Sequence, residues 1–283
     1  MATIHGASTR AVETSEAMVS YRDVGSGPVL LLLHGGAPAA TGWGNFGRNV
    51  ADLAADFRVI TPDQPGFGGS RLNSDSGLPY PVVSAQAMIE LLDVLGIDRA
   101  HVVGNSKGAA VALQMALLKP DLVDRLVLVT PALEGFAPHV LAPEAEGERL
   151  LRDYYPDPTL ERARHLVRSF VFDPDEIPNL EQVVEARYNA TLDQQSEAGY
   201  LRMMTSTVAD SDSRSAVEKV RSIENPTLLM WGRDDKFCNV EDAFAYLSAL
   251  RNSELVVFRS TGHWLMFERC TEFAAHTKAF LSR

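Results

Sequence analysis

One stretch constrains the fold of this chain more than any other: residues 100–118, AHVVGNSKGAAVALQMALL. A short apolar run rich in β-branched residues stops at Gly104, and a small-residue segment with helical spacing starts after Ser106. This order predicts a strand, a sharp turn and a helix. The turn matches the pattern G-x-S-x-G, in which Gly104 and Gly108 lack the side chains that would keep strand and helix apart.

Ser106 is a candidate nucleophile because of the helix predicted to follow it. The first N–H groups of a helix have no partner within the helix, and with the helix dipole they favour negative charge at this position. Such charge develops on a carbonyl oxygen under nucleophilic attack. We therefore predict Ser106 as the nucleophile and the backbone N–H of Lys107 as one oxyanion donor. The alternative is a glycine-rich helix entry without a catalytic role.

A loop poor in side chains follows the apolar run Val29–Leu33. It reads HGGAPAATGW over residues 34–43, so its backbone can approach a ligand closely. In folds with a serine at such a turn, a loop in this position supplies the second oxyanion donor. We predict Gly36 as that donor, with a flexible glycine and alanine turn as the alternative. His34 is expected to brace the loop through a hydrogen bond.

Apolar runs of strand length alternate with helical segments along the chain. The predicted strands are Val29–Leu33, 57–61, 101–103, 126–129, 227–231 and 255–258, and the predicted helices include 85–95, 240–250 and 271–281. Residues 9–23 alternate loosely and predict an antiparallel hairpin at a sheet edge. The alternation predicts a doubly wound, mainly parallel α/β sheet.

The character of the sequence changes between residues 135 and 216. This stretch is rich in charge and helical periodicity and contains no run typical of a buried strand. We predict an α/β core in two parts, 1–134 and 217–283, with 135–216 inserted as a helical lid over the edge of the sheet that holds Ser106. Aromatic residues of the lid, Phe170 among them, are expected to form its own core.

Composition narrows the class of protein. A chain of 283 residues with 46% hydrophobic and 22% charged residues can build one large core. Its apolar runs are far shorter than the roughly 20 residues that cross a bilayer, and no apolar signal core begins it, so we predict a cytoplasmic protein without a membrane partner. Two cysteines predict neither disulfides nor a metal site. A net charge of −11 argues against nucleic acid, and an anionic substrate would need a local positive group.

Three polar groups follow predicted parallel strands: Ser106, an aspartate in the sequence GRDD at 232–235, and His263. Because the carboxyl ends of parallel strands meet at one edge, we expect these groups to lie close together. A hydroxyl needs an imidazole to take its proton, and the imidazole needs a carboxylate to fix its tautomer. We predict Asp235 as that carboxylate; the alternative is Asp234, which we expect instead to cap the loop or pair with Arg233.

The segments HGGAPAATGWGNFGRN, DQPGFGGS, GNSKG, WGRDDKF and GHW together resemble the meta-cleavage-product hydrolases, the carbon–carbon bond hydrolases of the α/β-hydrolase superfamily. The resemblance covers the chain apart from much of the lid. It implies an α/β-hydrolase fold, no cofactor or metal, and cleavage of a 2-hydroxy-6-oxo-hexa-2,4-dienoate, a small-molecule ring-fission product of aromatic catabolism. It further implies a homo-oligomer, a dimer or larger.

Carried over position by position, the resemblance implies that Asn45, Asn105, Arg187 and Trp264 surround the dienoate end of the substrate. Arg187 would be the positive group that an acidic chain needs, because a guanidinium binds a carboxylate in a fork. The alternative is an arginine on the solvated face of the lid.

The chain departs from the family pattern at two places. It has HGGAPAA where the family typically has HGGGPGA, which can alter the loop backbone or the pocket width. It also has Lys107 where the family usually has an apolar residue, and a cation at a helix N-terminus opposes the dipole. We hypothesise that Lys107 meets an anionic group of the substrate or of the lid; the alternative is a lysine that points outward.

Two other functions stay open at this stage. A carboxylesterase or lactonase would use the same three catalytic groups. A ligand-binding protein on a hydrolase fold would leave them idle. A dehalogenase or an epoxide hydrolase is disfavoured, because those relatives have aspartate at the position of Ser106.

Overall fold

The structure, a computed structural model, describes residues 8–73, 77–132, 145–192 and 213–283. Its strands are β1 (Arg10–Glu13), β2 (Ala17–Val24), β3 (Val29–Leu33), β4 (Arg58–Pro62), β5 (Arg71–Leu72), β6 (Ala100–Asn105), β7 (Val123–Val129), β8 (Thr227–Gly232) and β9 (Ser253–Phe258). Its helices are α1 (Gly42–Leu53), α2 (Tyr80–Val94), α3 (Lys107–Leu118), α4 (Glu146–Tyr154), α5 (Leu160–Ser169), α6 (Leu180–Thr191), α7 (Ser213–Arg221), α8 (Asp242–Ala249), α9 (Leu265–Glu268) and α10 (Cys270–Leu281).

The strands form one nine-stranded sheet in the order β1-β2-β4-β3-β6-β7-β8-β9, with β5 paired to β2. From β4 to β9 the neighbouring strands are parallel, and β1, β2 and β5 add an antiparallel edge. The predicted mainly parallel sheet and the predicted hairpin are both confirmed. Strand β3 is apolar without alternation because helices cover both faces of the sheet, and four of its five residues are fully buried.

The candidate nucleophile leaves the sheet at its centre, because β6 lies between β3 and β7. In the register of the sheet, Gly104 pairs with Leu33 of β3 on one side and with Leu128 of β7 on the other. A Cβ atom on Gly104 would collide with the carbonyl of Gly108, and one on Gly108 would collide with the carbonyl of Leu33. The two glycines are therefore needed where the backbone of α3 touches the sheet.

Helix α1, strand β5 and the four-residue helix α9 were not predicted. Helix α1 begins at Gly42, inside the predicted loop 34–43, and the Thr41 hydroxyl caps it by accepting the N–H of Gly44 at 2.9 Å. The two-residue strand β5 is too short to produce a pattern in the sequence.

The predicted lid is described in part. Within 135–216, helices α4, α5 and α6 pack in succession, α4 on α5 and α5 on α6. Residues 135–144 and 193–212 lie outside the described residues, and the boundaries of core and lid stay a prediction. Within the four described ranges, every helix is too short or too polar to span a bilayer.

Candidate active site

Ser106 sits in a strained turn between β6 and α3. Its φ of 55° and ψ of −120° are rare for a residue with a side chain. Two hydrogen bonds hold this conformation: its N–H donates to the carbonyl of Val129 at 2.9 Å, and its carbonyl accepts the N–H of Ala109 at 2.9 Å. The side chain is thereby presented at the edge where β6 ends. Its own N–H is already used, so an oxyanion donor has to come from a neighbouring residue.

His263 is in contact with Asp235. The Nδ1 atom of His263 lies 2.8 Å from Oδ2 of Asp235, and the two side chains are 4% and 0% exposed. The other oxygen, Oδ1, accepts the N–H groups of Phe237 at 2.7 Å and Cys238 at 3.0 Å. A carboxylate held at Nδ1 assigns the proton to that nitrogen and leaves Nε2 as the basic one.

The two candidate aspartates differ clearly in their contacts. Asp234 pairs with Arg233 at 3.3 Å, which is one of the two roles that we expected for it. Asp235 is the one that contacts the histidine. Its Oδ1 accepts the N–H groups of Phe237 and Cys238, and these bonds hold the side chain in the turn after β8.

One cavity of about 70 Å³ brings most of the predicted site residues together. It is lined by Ser106 and His263 and by five further predicted residues, Gly36, Asn45, Asn105, Lys107 and Trp264. Asp235 lies behind His263 as its hydrogen-bond partner. Like Asp235, the predicted residue Arg187 does not line this cavity.

The loop 34–43 lies against Ser106. A Cβ atom on Gly35 would come within 3.4 Å of the Ser106 Cβ. His34 is fully buried; its Nδ1–H donates to the Gly35 carbonyl at 2.8 Å, and its Nε2 accepts the N–H of Gln64 at 2.9 Å. Burial lowers its pKa, which favours the neutral ring that these two bonds require. The predicted brace is confirmed, whereas the N–H groups of Gly36 and Lys107 as oxyanion donors stay a prediction.

A chain of buried polar side chains leads from the loop side of the cavity to the histidine. Asn45 Nδ2 donates to Asn105 Oδ1, Asn105 Nδ2 donates to Thr130 Oγ1, and Thr130 Oγ1 lies near His263 Nδ1, each at 3.3 Å. Thr130 has a φ of 43° and is fully buried. It was not predicted, although its position directly after β7 places it at the same sheet edge as the other groups.

Arg187 lies on helix α6 of the predicted lid, against the ring of Trp264. Its Nη1–H donates to the carbonyl of Pro38 at 2.9 Å, and its guanidinium carbon lies 4.5 Å from the Trp264 ring centroid. The residue is 9% exposed, so the alternative of a solvated lid arginine is wrong. Burial lowers its pKa to about 10, and it therefore remains a cation at neutral pH. Among the described residues, no carboxylate forms an ion pair with it.

Lys107 and an acidic residue of the predicted lid line the same cavity, and a contact between their charges stays a prediction. Glu148 of α4 lines the same cavity. Both charges also act on the thiol of Cys238, whose pKa is raised chiefly by burial, further raised by Glu148 and lowered by Lys107. The wall of the cavity near Cys238 is therefore charged.

Phe170 forms part of the cavity wall, in addition to the predicted role in the lid core. Its ring stacks between Phe237 and Trp264, at centroid distances of 4.3 and 4.5 Å with interplanar angles of 2° and 1°. The sequence predicted that Phe170 lies in the core of the lid, but it could not show which residues lie against it.

Comparison with known proteins identifies the family. A sequence profile of the α/β-hydrolase fold matches residues 28–269. A 2-hydroxy-6-oxo-6-phenylhexa-2,4-dienoate hydrolase of Comamonas testosteroni is 33% identical over 267 residues, covering 92% of this chain and 90% of the relative. The chain belongs to the meta-cleavage-product hydrolase family. A second member, a 2-hydroxy-6-oxononadienedioate/2-hydroxy-6-oxononatrienedioate hydrolase of Burkholderia vietnamiensis strain G4, is 35% identical over 272 residues, covering 95% of this chain and 92% of the relative.

A solved structure of a meta-cleavage-product hydrolase extends the likeness to three dimensions. The 2-hydroxy-6-oxo-6-phenylhexa-2,4-dienoate hydrolase of Rhodococcus sp. strain RHA1 superimposes with a TM-score of 0.86 at 26% identity, covering 98% of this chain and 100% of the other. The predicted α/β-hydrolase fold and the predicted enzyme class, a hydrolase acting on carbon–carbon bonds, are thereby confirmed.

Proposed function

We propose that this chain hydrolyses the carbon–carbon bond beside the 6-oxo group of a 2-hydroxy-6-oxo-hexa-2,4-dienoate. The products are 2-hydroxypenta-2,4-dienoate and a carboxylic acid. The observation that carries the proposal is the contact between Asp235 and His263 at the cavity that Ser106 lines. Family membership supplies the substrate class, since relatives are named for dienoates with a phenyl group or a second carboxylate.

The chemistry begins with the leaving group. Transfer of the 2-hydroxyl proton to C5 converts the 2-hydroxydiene into a 2-oxo-3-ene, so that electrons released at C5 can later be delocalised onto the C2 oxygen. His263 Nε2 takes the proton of Ser106, whose Oγ attacks the C6 carbonyl. The N–H groups of Gly36 and Lys107 stabilise the oxyanion. The C5–C6 bond then breaks and its electron pair is delocalised onto the C2 oxygen. Protonated His263 gives its proton to this dienolate, which leaves as 2-hydroxypenta-2,4-dienoate, and neutral His263 then acts as base for the water that releases the acid from Ser106.

We assign the dienoate end to the side of the cavity with Asn45, Asn105 and Trp264, where Arg187 lies against the tryptophan ring. Support comes from the burial of Arg187: a guanidinium among apolar groups, without an ion-pair partner among the described residues, attracts an anion strongly. The substrate carboxylate is that anion. Arg187 is then the local positive group that lets a chain of net charge −11 bind an acid.

Replacing Arg187 with methionine is expected to lower kcat/KM for the dienoate about 100-fold, since loss of one partner of a buried charge pair costs about 2–5 kcal/mol. Arg187→Lys keeps the charge but not the fork and should fall between methionine and the wild type. Steady-state kinetics of the three proteins checks this, with thermal unfolding to verify folding. A methionine variant within threefold of wild type would remove Arg187 from substrate binding.

The proposed function is tested by offering the protein a coloured ring-fission dienoate and, separately, a nitrophenyl ester. Loss of the dienoate absorbance with release of the carboxylic acid supports the proposal. Turnover of the ester alone would instead identify a carboxylesterase or lactonase. Binding of the dienoate without turnover of either compound would identify a ligand-binding protein.

Self-association and a cytoplasmic location belong to the proposal as predictions from the sequence. The first is supported by apolar surface at the outer strand of the sheet: Val257 of β9 is 41% exposed, and Phe244 of α8 is 60% exposed. Light scattering of the purified protein measures the oligomeric state directly.

A further inference from the structure

The lid touches the loop that carries His263 through its backbone. A Cβ atom on Gly262 would lie 2.8 Å from the Phe170 carbonyl oxygen and 3.0 Å from the Phe172 nitrogen. The N–H of Trp264 donates to the same Phe170 carbonyl at 2.9 Å. The segment that follows lid helix α5 therefore packs directly on both neighbours of the histidine, and glycine at position 262 is what permits this approach.

One carboxylate bridges these two segments. Glu268, the last residue of α9, accepts the N–H of Gly262 at 2.7 Å through Oε2 and the N–H of Phe172 at 2.6 Å through Oε1. Such short distances are typical of an ionised acceptor. One of the two donors lies next to His263 in the chain, and the other belongs to the lid. Among the described residues, Glu268 forms no ion pair, so these two backbone groups are its principal partners.

We propose that Glu268 is a positioning residue that couples the lid to the catalytic histidine, holding both segments in the arrangement in which His263 faces the cavity of Ser106. The inference rests on the proposed role of His263 as the base, but not on the identity of the substrate. Glu268 does not line the cavity and acts through the loop 262–264.

The two hydrogen bonds that Glu268 accepts from backbone N–H groups depend on the charge of its carboxylate. Burial raises the pKa of Glu268 from 4.5 to about 7, with the two backbone N–H groups and Arg269 acting to lower it and Asp235 to raise it. The Arg269 side chain donates to Thr261 Oγ1 at 3.1 Å and to the carbonyl of Ser260 at 3.0 Å. On the lid side, Asp173 accepts the N–H of Asp175. A protonated oxygen becomes a donor facing an N–H group, so the bridge is weaker at pH 6 than at pH 8.

The sign for stability is opposite to that for activity. Because the pKa of Glu268 is higher in the folded protein than its ordinary value, the folded state binds the proton more tightly than the unfolded state. Its contribution to stability is therefore fully present below pH 4.5 and is lost as the pH rises to about 7. The ionised form of Glu268, which accepts both N–H groups, therefore lowers the stability of the folded protein. Groups with a functional role often have such shifted pKa values.

The test compares Glu268→Gln with the wild type from pH 6 to pH 8.5. Glutamine keeps the shape and one acceptor but cannot ionise. We expect the ratio of wild-type to variant kcat to rise from below about 3 at pH 6 to about 10 at pH 8, following one ionisation near pH 7, with KM nearly constant. Taking the ratio cancels any pH dependence that the two proteins share. Glu272→Gln on α10 is the matched control, since this half-exposed glutamate lies 4.0 Å from Arg269, and its ratio should stay near 1 at every pH.

Labelling of Ser106 by a fluorophosphonate gives a second readout that needs no dienoate. A pH-dependent ratio of labelling rates would support the coupling even in a protein that fails to cleave the dienoate, which separates this inference from the proposed function. Glu268→Asp keeps the charge on a shorter side chain and should retain the rise with pH at a lower rate. A ratio that is flat with pH would overturn the proposal, as would loss of folding, seen by circular dichroism, in both Glu268 variants.

Discussion

Replacing Ser106 with alanine is expected to lower kcat for the dienoate by at least about 1,000-fold, as removal of a catalytic serine does in hydrolases with this set of groups. Alanine keeps a Cβ atom in the strained backbone conformation at φ 55° and removes the hydroxyl alone. The cavity, the Asp235–His263 pair and the loop at Gly35 are not changed. Steady-state turnover, together with the mass of the protein after fluorophosphonate treatment, measures the effect.

The control for this substitution is Ser222→Ala, which also removes a serine hydroxyl. Ser222 Oγ donates to the carbonyl of Lys219 at 2.7 Å, outside the cavity residues, and we expect its kcat to stay within about twofold. If the Ser106→Ala variant kept more than a tenth of wild-type activity, His263 would have to activate water directly. Ser106 would then lose its role as nucleophile, although the fold and the cavity would be unchanged.

The sequence predicted best those features that depend on residues close together in the chain. Gly104 and Gly108 predicted the tight approach of β6 and α3, because the need for a bare backbone is local. The unalternating run Val29–Leu33 predicted a strand covered on both faces. The order of Ser106, Asp235 and His263 at strand ends predicted one sheet edge, because topology alone brings such ends together.

Residues that act through distant contacts were missed or only partly predicted. Thr130 is marked by a buried hydroxyl near His263 and a positive φ, and neither property leaves a sequence pattern. Glu268 looks like an ordinary helix residue until its two backbone partners, 6 and 96 positions away, are seen. Arg187 was predicted only through resemblance, and its stacking on Trp264 depends on how the lid packs.

Replacing Asp235 with asparagine is expected to lower kcat by about 10⁴-fold at neutral pH while leaving the fold intact. The Oδ1 atom of Asp235 accepts two backbone N–H groups, from Phe237 and Cys238, so the asparagine must keep its carbonyl oxygen there. Its NH₂ group is then aimed at His263 Nδ1, which has to become the acceptor. The ring proton moves to Nε2, and the nitrogen that should take a proton from Ser106 already carries one.

Asp234→Asn is the matched control, one residue earlier and with the same change of one oxygen to nitrogen. Asp234 pairs with the exposed Arg233, so we expect its kcat to stay within about threefold of wild type. Single-turnover kinetics at several pH values distinguishes the variants, because a ring held in the wrong tautomer lowers the rate across the whole neutral range instead of shifting its midpoint. Equal losses of kcat in both variants would mean that the two aspartates share the role of orienting His263. A loss of kcat in Asp234→Asn alone would assign that role to Asp234.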